Sequence, residues 1–278
     1  MNAEQLSLVP VIKHYNQQLF SDYYLDRQLA ERSEWYTLAG EAQRMMERIA
    51  AIRAAFTPTS KEAQTRHAFI HPVLDALGYI YEVEAALATP YGVKQMDCLL
   101  YRDQQALNAN KGKTLDDEIL LRGGGLAVLE AKHWGRNLDE TIKSHKDPTS
   151  SNPAAQITFY MQHSNMPWGI LTNGQRWRLY HRDTAYKLDR FYEVDLEELL
   201  QANDPQLFLY FYVFFRRQAF DDQPLSLANL LRESNDYARG IGDTLKEQAY
   251  LALRHLAQGF LDYPKNHLST NDADLQHI

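Results

Sequence analysis

The clearest pattern in the chain is a short apolar stretch that ends in charged residues. Three glycines precede the apolar run 126–129, which is followed by Glu130, Ala131 and Lys132. Because residues i and i+2 of a strand point to the same face, Glu130 and Lys132 are predicted to project together from one side of a buried strand. Such groups cost solvation free energy unless something binds them. The pattern therefore indicates a site for a metal ion and an activated water.

A second apolar stretch, 93–101, carries one acid, Asp97. An acid on one strand and Glu-x-Lys on a later strand is the pattern of the PD-(D/E)XK nucleases. On that pattern Asp97 and Glu130 hold Mg²⁺, a hard cation that prefers oxygen ligands. Lys132 then orients or deprotonates the attacking water and offsets the charge of the phosphate. The alternative is an ordinary helical Glu-Ala-Lys tripeptide and an incidental aspartate, but both acids lie in strand-like apolar runs.

Periodicity and turn residues predict alternating helices and strands around these two stretches. Residues 1–57 read as helical, most clearly 34–56, and Ser60 reads as the N-cap of a helix over 61–77. Asn173-Gly174 between two apolar runs predicts a hairpin over 168–180. The remaining predictions are strands at 79–84, 93–101 and 126–132, polar connections at 103–125 and 138–152, a helix at 154–163 opened by Pro153, a helix beginning at 193–200, an aromatic helical or buried segment at 207–215, and a long helix at 226–262 with potential breaks at Gly240 and Gly242.

This order of elements predicts an α/β fold with a restriction-endonuclease-like PD-(D/E)XK core, in which a mixed central sheet is flanked by helices. Helical additions are expected at both ends of the chain. We therefore predict an N-terminal helical segment over 1–57 and a nuclease core over 58–203. The third part, 204–278, is predicted to be a helical connector with a polar tail that leads to further domains in a longer parent.

Composition limits how such a chain would bind nucleic acid. The 278 residues carry a formal net charge of -7, whereas proteins that bind DNA by bulk charge usually have a basic excess. A nuclease domain with this charge needs local contacts, or help from another part of a larger protein. The one cysteine, Cys98, fits a reducing compartment. With no signal-peptide pattern and no long apolar run, we expect no membrane association and a cytoplasmic location.

Further candidate residues lie on the helices before and after the two strands. Glu62, in the first turn of its helix, is either an additional metal ligand or an acid placed there by the helix dipole. Gln156 and Tyr160, four residues apart, share one helix face. Gln156 is expected to touch the phosphate or orient Lys132, whereas Tyr160 is expected to pack on the sheet. Basic residues that could contact DNA phosphates, or equally form a solvated face, are Lys143, Lys146, Arg176 and Arg178.

Longer sequence motifs show a resemblance to a known family. They are Glu-Ala-Lys-His-Trp-Gly-Arg-Asn-Leu-Asp at 130–139, Pro-Ala-Ala-Gln at 153–156 with Tyr160, and the hairpin sequence at 168–180. Together with the helix from Glu62 they resemble the N-terminal nuclease domain of large single-chain type II (IIG/IIL) restriction-modification enzymes. The nuclease domain of type I restriction R subunits is a relative. The likeness covers roughly 60–200 well and 205–278 more loosely.

The resemblance implies a Mg²⁺-dependent DNA endonuclease domain of a restriction-modification enzyme that defends against phage, with Mn²⁺ able to substitute. In the parents, a helical connector, an adenine methyltransferase using S-adenosylmethionine and a target-recognition domain follow. The expected partners are thus double-stranded DNA and those two domains, in cis or in trans, and the chain is expected to be a fragment.

The sequence departs from the family pattern at two points, and one alternative function remains. Met96 stands where proline is common, and the separation of Asp97 from Glu130 is long, which leaves Asp103 as a rival ligand; Asp97 is preferred because it lies within the apolar strand. The alternative function is a catalytically silent, nuclease-like module that docks on DNA or assembles with a methyltransferase partner. Metal-dependent cutting by the chain itself distinguishes the two.

Overall fold

The centre of the fold is one seven-stranded mixed sheet, seen in a computed structural model that describes residues 13–141 and 152–263. The strands are β1 Tyr15–Gln17, β2 Ile80–Thr89, β3 Gly92–Tyr101, β4 Gly125–Ala131, β5 Trp168–Thr172, β6 Arg176–His181 and β7 Phe191–Asp195. Their order across the sheet is β1-β7-β6-β5-β4-β3-β2. Neighbours β4 and β5 run parallel and the other described pairs run antiparallel. The predicted α/β class with a mixed central sheet is confirmed.

Helices cover both faces of the sheet. They are α1 Ser33–Thr37, α2 Ala39–Ala55, α3 Glu62–Thr65, α4 His71–Ala76, α5 Gln104–Asn110, α6 Asp117–Arg122, α7 Pro153–Ser164, α8 Arg182–Ala185, α9 Leu196–Ala202, α10 Pro205–Phe215 and α11 Leu227–Asp262. A π-helical turn, Arg66–Ile70, joins α3 to α4, so the predicted helix over 61–77 is present with one widened turn. A second π-helical turn, Tyr24–Gln28, and two 3₁₀ turns, Leu29–Glu31 and Arg217–Phe220, complete the helical structure.

The chain crosses from one half of the sheet to the other through α7. Strands β2, β3 and β4 form an antiparallel meander, α7 returns the chain to the starting side, and β5 then lies parallel to β4. The predicted hairpin is confirmed as β5 and β6, where Gly174 has φ +87°. Gly169 allows α7 to approach β5, because a Cβ there would lie 2.4 Å from Met161 Sδ. This crossover brings α7 over the end of β4.

Two apolar cores lie on opposite faces of the sheet. One contains the aromatic residues of α10 together with side chains of α2 and α4, and Trp177 packs edge-on against Phe211 at 5.6 Å between ring centroids. The other contains α5 and α7, with Ile157 and Met161 fully buried against β4 and β5. Burial on both faces explains why 126–129 of β4 and 168–171 of β5 are apolar runs rather than alternating with polar residues.

The prediction of a polar loop over 103–125 is wrong. Asp103 accepts a hydrogen bond from the Ala106 N–H at 2.7 Å and begins α5, and Asp116 caps α6 in the same way. Between these helices Leu115 is fully buried and pairs with β2 through backbone hydrogen bonds of 2.7 Å. Two aspartate caps and a few apolar side chains are enough to build a packed segment from a polar sequence.

Two other predictions needed correction. Residues 13–57 are not helical throughout, because β1 pairs antiparallel with β7 and forms one edge of the sheet. Residues 193–195 belong to β7, and the helix predicted there begins at Leu196. Asp195 is its N-cap and accepts from the Glu198 N–H at 3.0 Å, so the strand passes directly into the helix.

The helices predicted near the C-terminal end are confirmed. Residues 207–215 lie in α10, and 226–262 form the single helix α11, which continues through Gly240 and Gly242 without a break. The three-part division of the chain stays a prediction. One core cluster nevertheless contains residues from all three parts, among them Leu25, Phe69 and Phe211.

Candidate metal-dependent active site

Asp97 and Glu130 lie opposite each other on adjacent strands. Cys98 pairs with Leu129, and the next residues toward this end of the strands are Asp97 on β3 and Glu130 on β4. Opposite residues of an antiparallel pair project from the same face. Lys132 follows two positions later, and its backbone N–H donates to Thr172 O at 2.7 Å, which continues the alignment of β4 with β5. The three predicted residues therefore meet at one end of the sheet.

The carboxylate of Asp97 links β4 to the π-helical turn. Its Oδ2 accepts a hydrogen bond from the Ala131 N–H at 2.8 Å, and its Oδ1 accepts from the guanidinium of Arg66. The strand neighbour and the helix both hold this carboxylate in place. Asp103, the rival ligand, lies beyond the strand and caps α5 instead. The geometry favours Asp97 as the acid of the site.

Glu130 is buried, and only one of its two carboxylate oxygens has a hydrogen-bond partner. Its Oε1 accepts from Lys132 Nζ at 2.6 Å, whereas its Oε2 has no hydrogen-bond partner. Burial, aided by the nearby charge of Asp97 and opposed by Lys132, raises the pKa of Glu130 to about 8. A buried carboxylate oxygen without a partner costs roughly 1–3 kcal/mol or more. This oxygen is the strongest sign that the site is built to hold something else.

Lys132 is surrounded by oxygen atoms. Its Nζ donates to Glu130 and to Gln156 Oε1 at 3.0 Å, and Glu62 Oε2 lies 3.9 Å away. Burial alone would lower the pKa of Lys132, but the charges of Glu130 and Glu62 outweigh burial and raise it. The ammonium group is therefore charged near neutral pH. A charged lysine orients water and stabilises negative charge; it does not accept a proton.

Gln156 reaches the site because α7 begins at Pro153, which places the glutamine in its first turn. Asn152 Oδ1 accepts from the Ala155 N–H at 3.1 Å, and Pro153 occupies the first turn. One turn after Gln156, the Tyr160 hydroxyl donates to Gln95 O at 2.8 Å. It lies 3.5 Å from Gln156 Nε2, which can donate to it. Tyr160 thus ties α7 to β3 and supports the glutamine, in addition to packing on the sheet.

The helix before β2 supplies two more charged groups. Glu62 is half-buried, and burial raises its pKa, with Lys132 opposing and Asp97 reinforcing the shift. Its position beside Lys132 keeps it as a candidate further ligand. Arg66 is the residue that sequence reasoning missed. The available signal was its position four residues after Glu62, which places both side chains on one helix face.

Two carboxylates suit Mg²⁺ but do not form a closed metal cage. Among residues 13–141 and 152–263, no group of three or more His, Cys, Asp or Glu side chains is arranged to hold a metal ion. Mg²⁺ keeps several waters and is commonly held by one or two carboxylates plus substrate phosphate. Asp97 with Glu130, whose Oε2 lacks a partner, fits that mode of binding, and Glu62 is a third oxygen donor nearby.

The basic residues expected to contact DNA differ in how far they are exposed. Arg178 is buried at 1% exposure and bonds Glu193 and Asp139, each at 2.7 Å, so it holds strands and loop together. Arg176 is partly exposed, pairs with Glu193 at 3.3 Å, and lines a cavity of about 410 Å³ with Arg136. Lys143 and Lys146 lie outside the described residues.

Comparison with known proteins gives no identification. No family model matches the chain, and neither the curated proteins nor the solved structures include a significant match. In the described part of the chain, no helix combines the length and apolar character needed to cross a membrane. The class defined by the fold is an α/β protein with a mixed seven-stranded sheet, and function has to be argued from the site.

Proposed function

We propose that this protein is a Mg²⁺-dependent DNA endonuclease of the PD-(D/E)XK type. The observation that carries the proposal is the buried Oε2 of Glu130, which has no hydrogen-bond partner and lies one residue before Ala131, whose N–H holds the carboxylate of Asp97. Lys132 projects from the same strand as Glu130 and is held by Gln156 at 3.0 Å. Two acids can hold the metal ion, and a charged lysine held by a glutamine can orient water and offset charge in metal-assisted phosphodiester hydrolysis.

The topology around the site supports this class. The acids lie on an antiparallel pair, β3 and β4, and the chain then crosses through α7 to the parallel strand β5. A helix before the first of these strands contributes Glu62 and Arg66, and the crossover helix contributes Gln156. This is the layout that the family resemblance implies for a restriction-endonuclease-like core. Function is still argued from the site, because one fold supports many activities.

Each side chain has a distinct task in the proposed reaction. Bound Mg²⁺ supplies Lewis-acid polarisation of the phosphate and lowers the pKa of its water. Lys132 donates hydrogen bonds that orient the attacking water and offset charge on the phosphate oxygens. Gln156 keeps the lysine in place. The water oxygen forms a bond to phosphorus and its proton passes to solvent, while the bond from phosphorus to the sugar oxygen breaks and that oxygen takes up a proton from solvent.

The proposed substrate is double-stranded DNA. Its phosphates would be contacted by local cations, of which Arg176 is partly exposed, and Lys143 and Lys146 are the further candidates from the sequence. Because the chain carries a net charge of -7, the proposal assigns target recognition to a methyltransferase and a target-recognition domain, in cis or in trans. S-adenosylmethionine belongs to that methyltransferase. A role in restriction-modification and defence against phage follows on the same proposal.

A second candidate function rests on the ion pairs in the site. Arg66 binds Asp97, and Lys132 binds Glu130, so each proposed ligand already has a cationic partner. This arrangement also suits a silent module that keeps the fold and docks on DNA or on a methyltransferase without cutting. Such a module would bind DNA in a salt-sensitive way and show no metal-dependent cleavage.

The test is nicking of supercoiled plasmid with Mg²⁺ or Mn²⁺, run beside calorimetric titration of each metal. Wild type is expected to bind metal and nick, and Glu130→Ala and Lys132→Ala are expected to lose about 10²-fold or more in rate. Asp103→Asn, which can keep the helix cap, is the matched control for the loss of an acid outside the site. Cleavage by both alanine variants at the wild-type rate would sink the proposal. Metal binding without nicking would favour the docking module.

A further inference from the structure

A cavity of about 450 Å³ lies at the end of the sheet opposite Glu130. Gly125 and Trp168, the first residues of the parallel strands β4 and β5, line it, whereas Glu130 lies near the other end of β4. Its remaining walls come from the 3₁₀ turn Arg217–Phe220 and from the first turns of α11. Small-molecule sites have volumes of ~300–1,000 Å³ and combine apolar walls with a few polar groups. The cavity has the size for a small ligand.

The inner walls of the cavity are apolar and partly aromatic. Trp168 is 5% exposed, and its ring meets the ring of His181 edge-on, with 4.6 Å between the centroids. Phe220 and Leu231 add apolar surface from the 3₁₀ turn and from α11. The indole N–H of a buried tryptophan usually has a hydrogen-bond partner, but that of Trp168 has none within the described ranges. A ligand with a flat ring and acceptor atoms on its edge matches these walls.

The rim of the cavity is positively charged. Arg232 is exposed there, and its Nη2 donates to Asn229 Oδ1 at 3.1 Å, which turns the guanidinium towards the first turn of α11. In that turn the N–H groups of Leu227 and Ala228 have no partner within the helix, and the helix dipole adds positive potential. None of the described residues that line the cavity is Asp or Glu, and no described carboxylate pairs with Arg232. The rim therefore suits one anionic group.

Two further side chains at the cavity offer both a donor and an acceptor. Burial lowers the pKa of His181, so its imidazole is uncharged at neutral pH and presents one N–H and one lone pair. The amide of Asn235, at the rim, presents the same two functions. The edge of a purine also carries donors and acceptors, and asparagine pairs with adenine in this way in DNA grooves. These side chains favour a heteroaromatic ring over a plain hydrocarbon.

We propose that this cavity binds a purine nucleoside monophosphate. The base packs against Trp168 and Phe220, and Asn235 bonds its edge. The phosphate binds Arg232 and the free N–H groups at the start of α11. Because the ligand contacts β5 and α11 together, its binding stabilises the junction between the sheet and this helix. The inference rests on the cavity alone and does not depend on the proposed nuclease activity.

Calorimetric titration of AMP into the full 278-residue chain tests the site. EDTA is present throughout, so that no divalent metal at Asp97 and Glu130 contributes to phosphate binding. Wild type is expected to bind AMP with a Kd below about 100 μM. Arg232→Gln should weaken binding by about tenfold or more, because a charge-assisted bond to the phosphate is lost. Arg239→Gln removes a 79% exposed cation from the same helix and should bind AMP as wild type does.

Filling the cavity separates a specific site from a general attraction of anions. Ala228→Phe places a ring in the cavity from α11 and should abolish AMP binding, whereas Ala238→Phe, at an exposed alanine of the same helix, should not. The melting temperature of wild type and of Ala238→Phe should rise with AMP, and that of Ala228→Phe should not. No binding of AMP by wild type, or equal binding by the two phenylalanine variants, overturns the proposal. Inorganic phosphate or the aromatic acid indole-3-acetate binding as tightly as AMP would also contradict it.

Discussion

The side chain of Asp97 accepts a hydrogen bond from the backbone N–H of Ala131 at 2.8 Å. Ala131 is the residue between Glu130 and Lys132, so this bond fixes Asp97 against the middle of the Glu-Ala-Lys segment. The small methyl group of Ala131 points into the opposite core, which leaves its N–H free to hold the carboxylate. The spacing of the three chemical groups is thus set by backbone geometry rather than by flexible side chains.

Asp97→Asn separates the structural role of this residue from its charge. Asparagine keeps an oxygen that can accept from Ala131 but loses the charge that pairs with Arg66, so we expect the fold to be kept and the melting temperature to fall. The loss of one anionic ligand should weaken metal binding and lower the cleavage rate by about 10²-fold. Calorimetry, thermal unfolding and plasmid nicking on the same preparation check this. A variant that keeps both metal binding and cleavage would show that Asp97 is not a ligand.

Arg66→Gln should change metal binding and cleavage in opposite directions. Removing the guanidinium frees Asp97 Oδ1, so metal is expected to bind more tightly, by a few-fold. Cleavage should fall by about tenfold or more, because the cation in contact with Asp97 no longer stabilises negative charge. Arg102→Gln removes an exposed arginine beside Asp103 and serves as the control. Unchanged values for both measurements would assign Arg66 a purely structural role.

Metal binding should strengthen as pH rises towards 8. The pKa of Glu130 is raised from an ordinary 4.5 to about 8, so near neutral pH the folded protein holds a proton that metal must displace. Below pH 8 the apparent affinity should fall by up to about tenfold per pH unit. The free energy of unfolding changes in the opposite direction with pH. The stabilisation that Glu130 contributes is fully present below pH 4.5 and is lost as pH rises through 8.

Calorimetry in two buffers of different ionisation enthalpy measures the released proton directly. Wild type at neutral pH is expected to release a fraction of a proton per metal bound, and Glu130→Gln should release none at this position. Release of the same fraction by the variant would place the titrating group elsewhere. Metal affinity that does not change between pH 6 and pH 8 would contradict the raised pKa.

Gln156→Leu should lower the cleavage rate with little effect on metal binding. Gln156 accepts from Lys132 Nζ at 3.0 Å and donates towards the Tyr160 hydroxyl, so its loss is expected to loosen the lysine rather than the two carboxylates. A reduction of about tenfold in kcat with a near-constant metal Kd is expected for such a positioning residue. Gln162→Leu, an exposed position on the same helix, is the control. Loss of metal binding would show that the glutamine acts on the ligands.

Arg178→Met should act on stability rather than on DNA binding. The guanidinium is buried against Glu193, so its removal leaves that buried carboxylate with the half-exposed Arg176 as its cationic partner, at a cost of about 3 kcal/mol. Arg176→Met, at a half-exposed neighbouring pair, should cost under about 1 kcal/mol. Urea unfolding of the two variants measures the difference. Equal stability with weakened DNA binding for Arg178→Met would restore the role first expected from the sequence.

Local signals in the sequence predicted much of the fold and the centre of the site. The apolar run before Glu130, the Asn173-Gly174 turn and Pro153 each specify their own element within a few residues. Because the side-chain period of a strand is two, the shared face of Glu130 and Lys132 also followed from the sequence. That Asp97 and Glu130 belong to one site was inferred from two separate apolar runs. In the structure these runs are the neighbouring strands β3 and β4, and the two acids follow the Cys98–Leu129 pair.

The residues that sequence reasoning misplaced depend on distant partners. β1 is a strand because β7 offers it an edge, and nothing in three polar residues shows this in advance. Arg178 reads as a surface cation until Glu193 and Asp139 are brought to it from other segments. Arg66 shares a helix face with Glu62, but its partner Asp97 is on a strand 31 positions later. Long-range pairing of this kind leaves no local pattern.

The unsatisfied oxygen of Glu130 also links occupancy of the site to the folding equilibrium. A ligand that binds the native state and not the unfolded chain stabilises it by RT ln(1 + [L]/Kd). Magnesium in the surrounding solution would then set how long the chain survives heat or proteolysis, apart from any phosphodiester that it cuts. On the proposed function, the stability of the folded chain would therefore vary with the Mg²⁺ concentration around it.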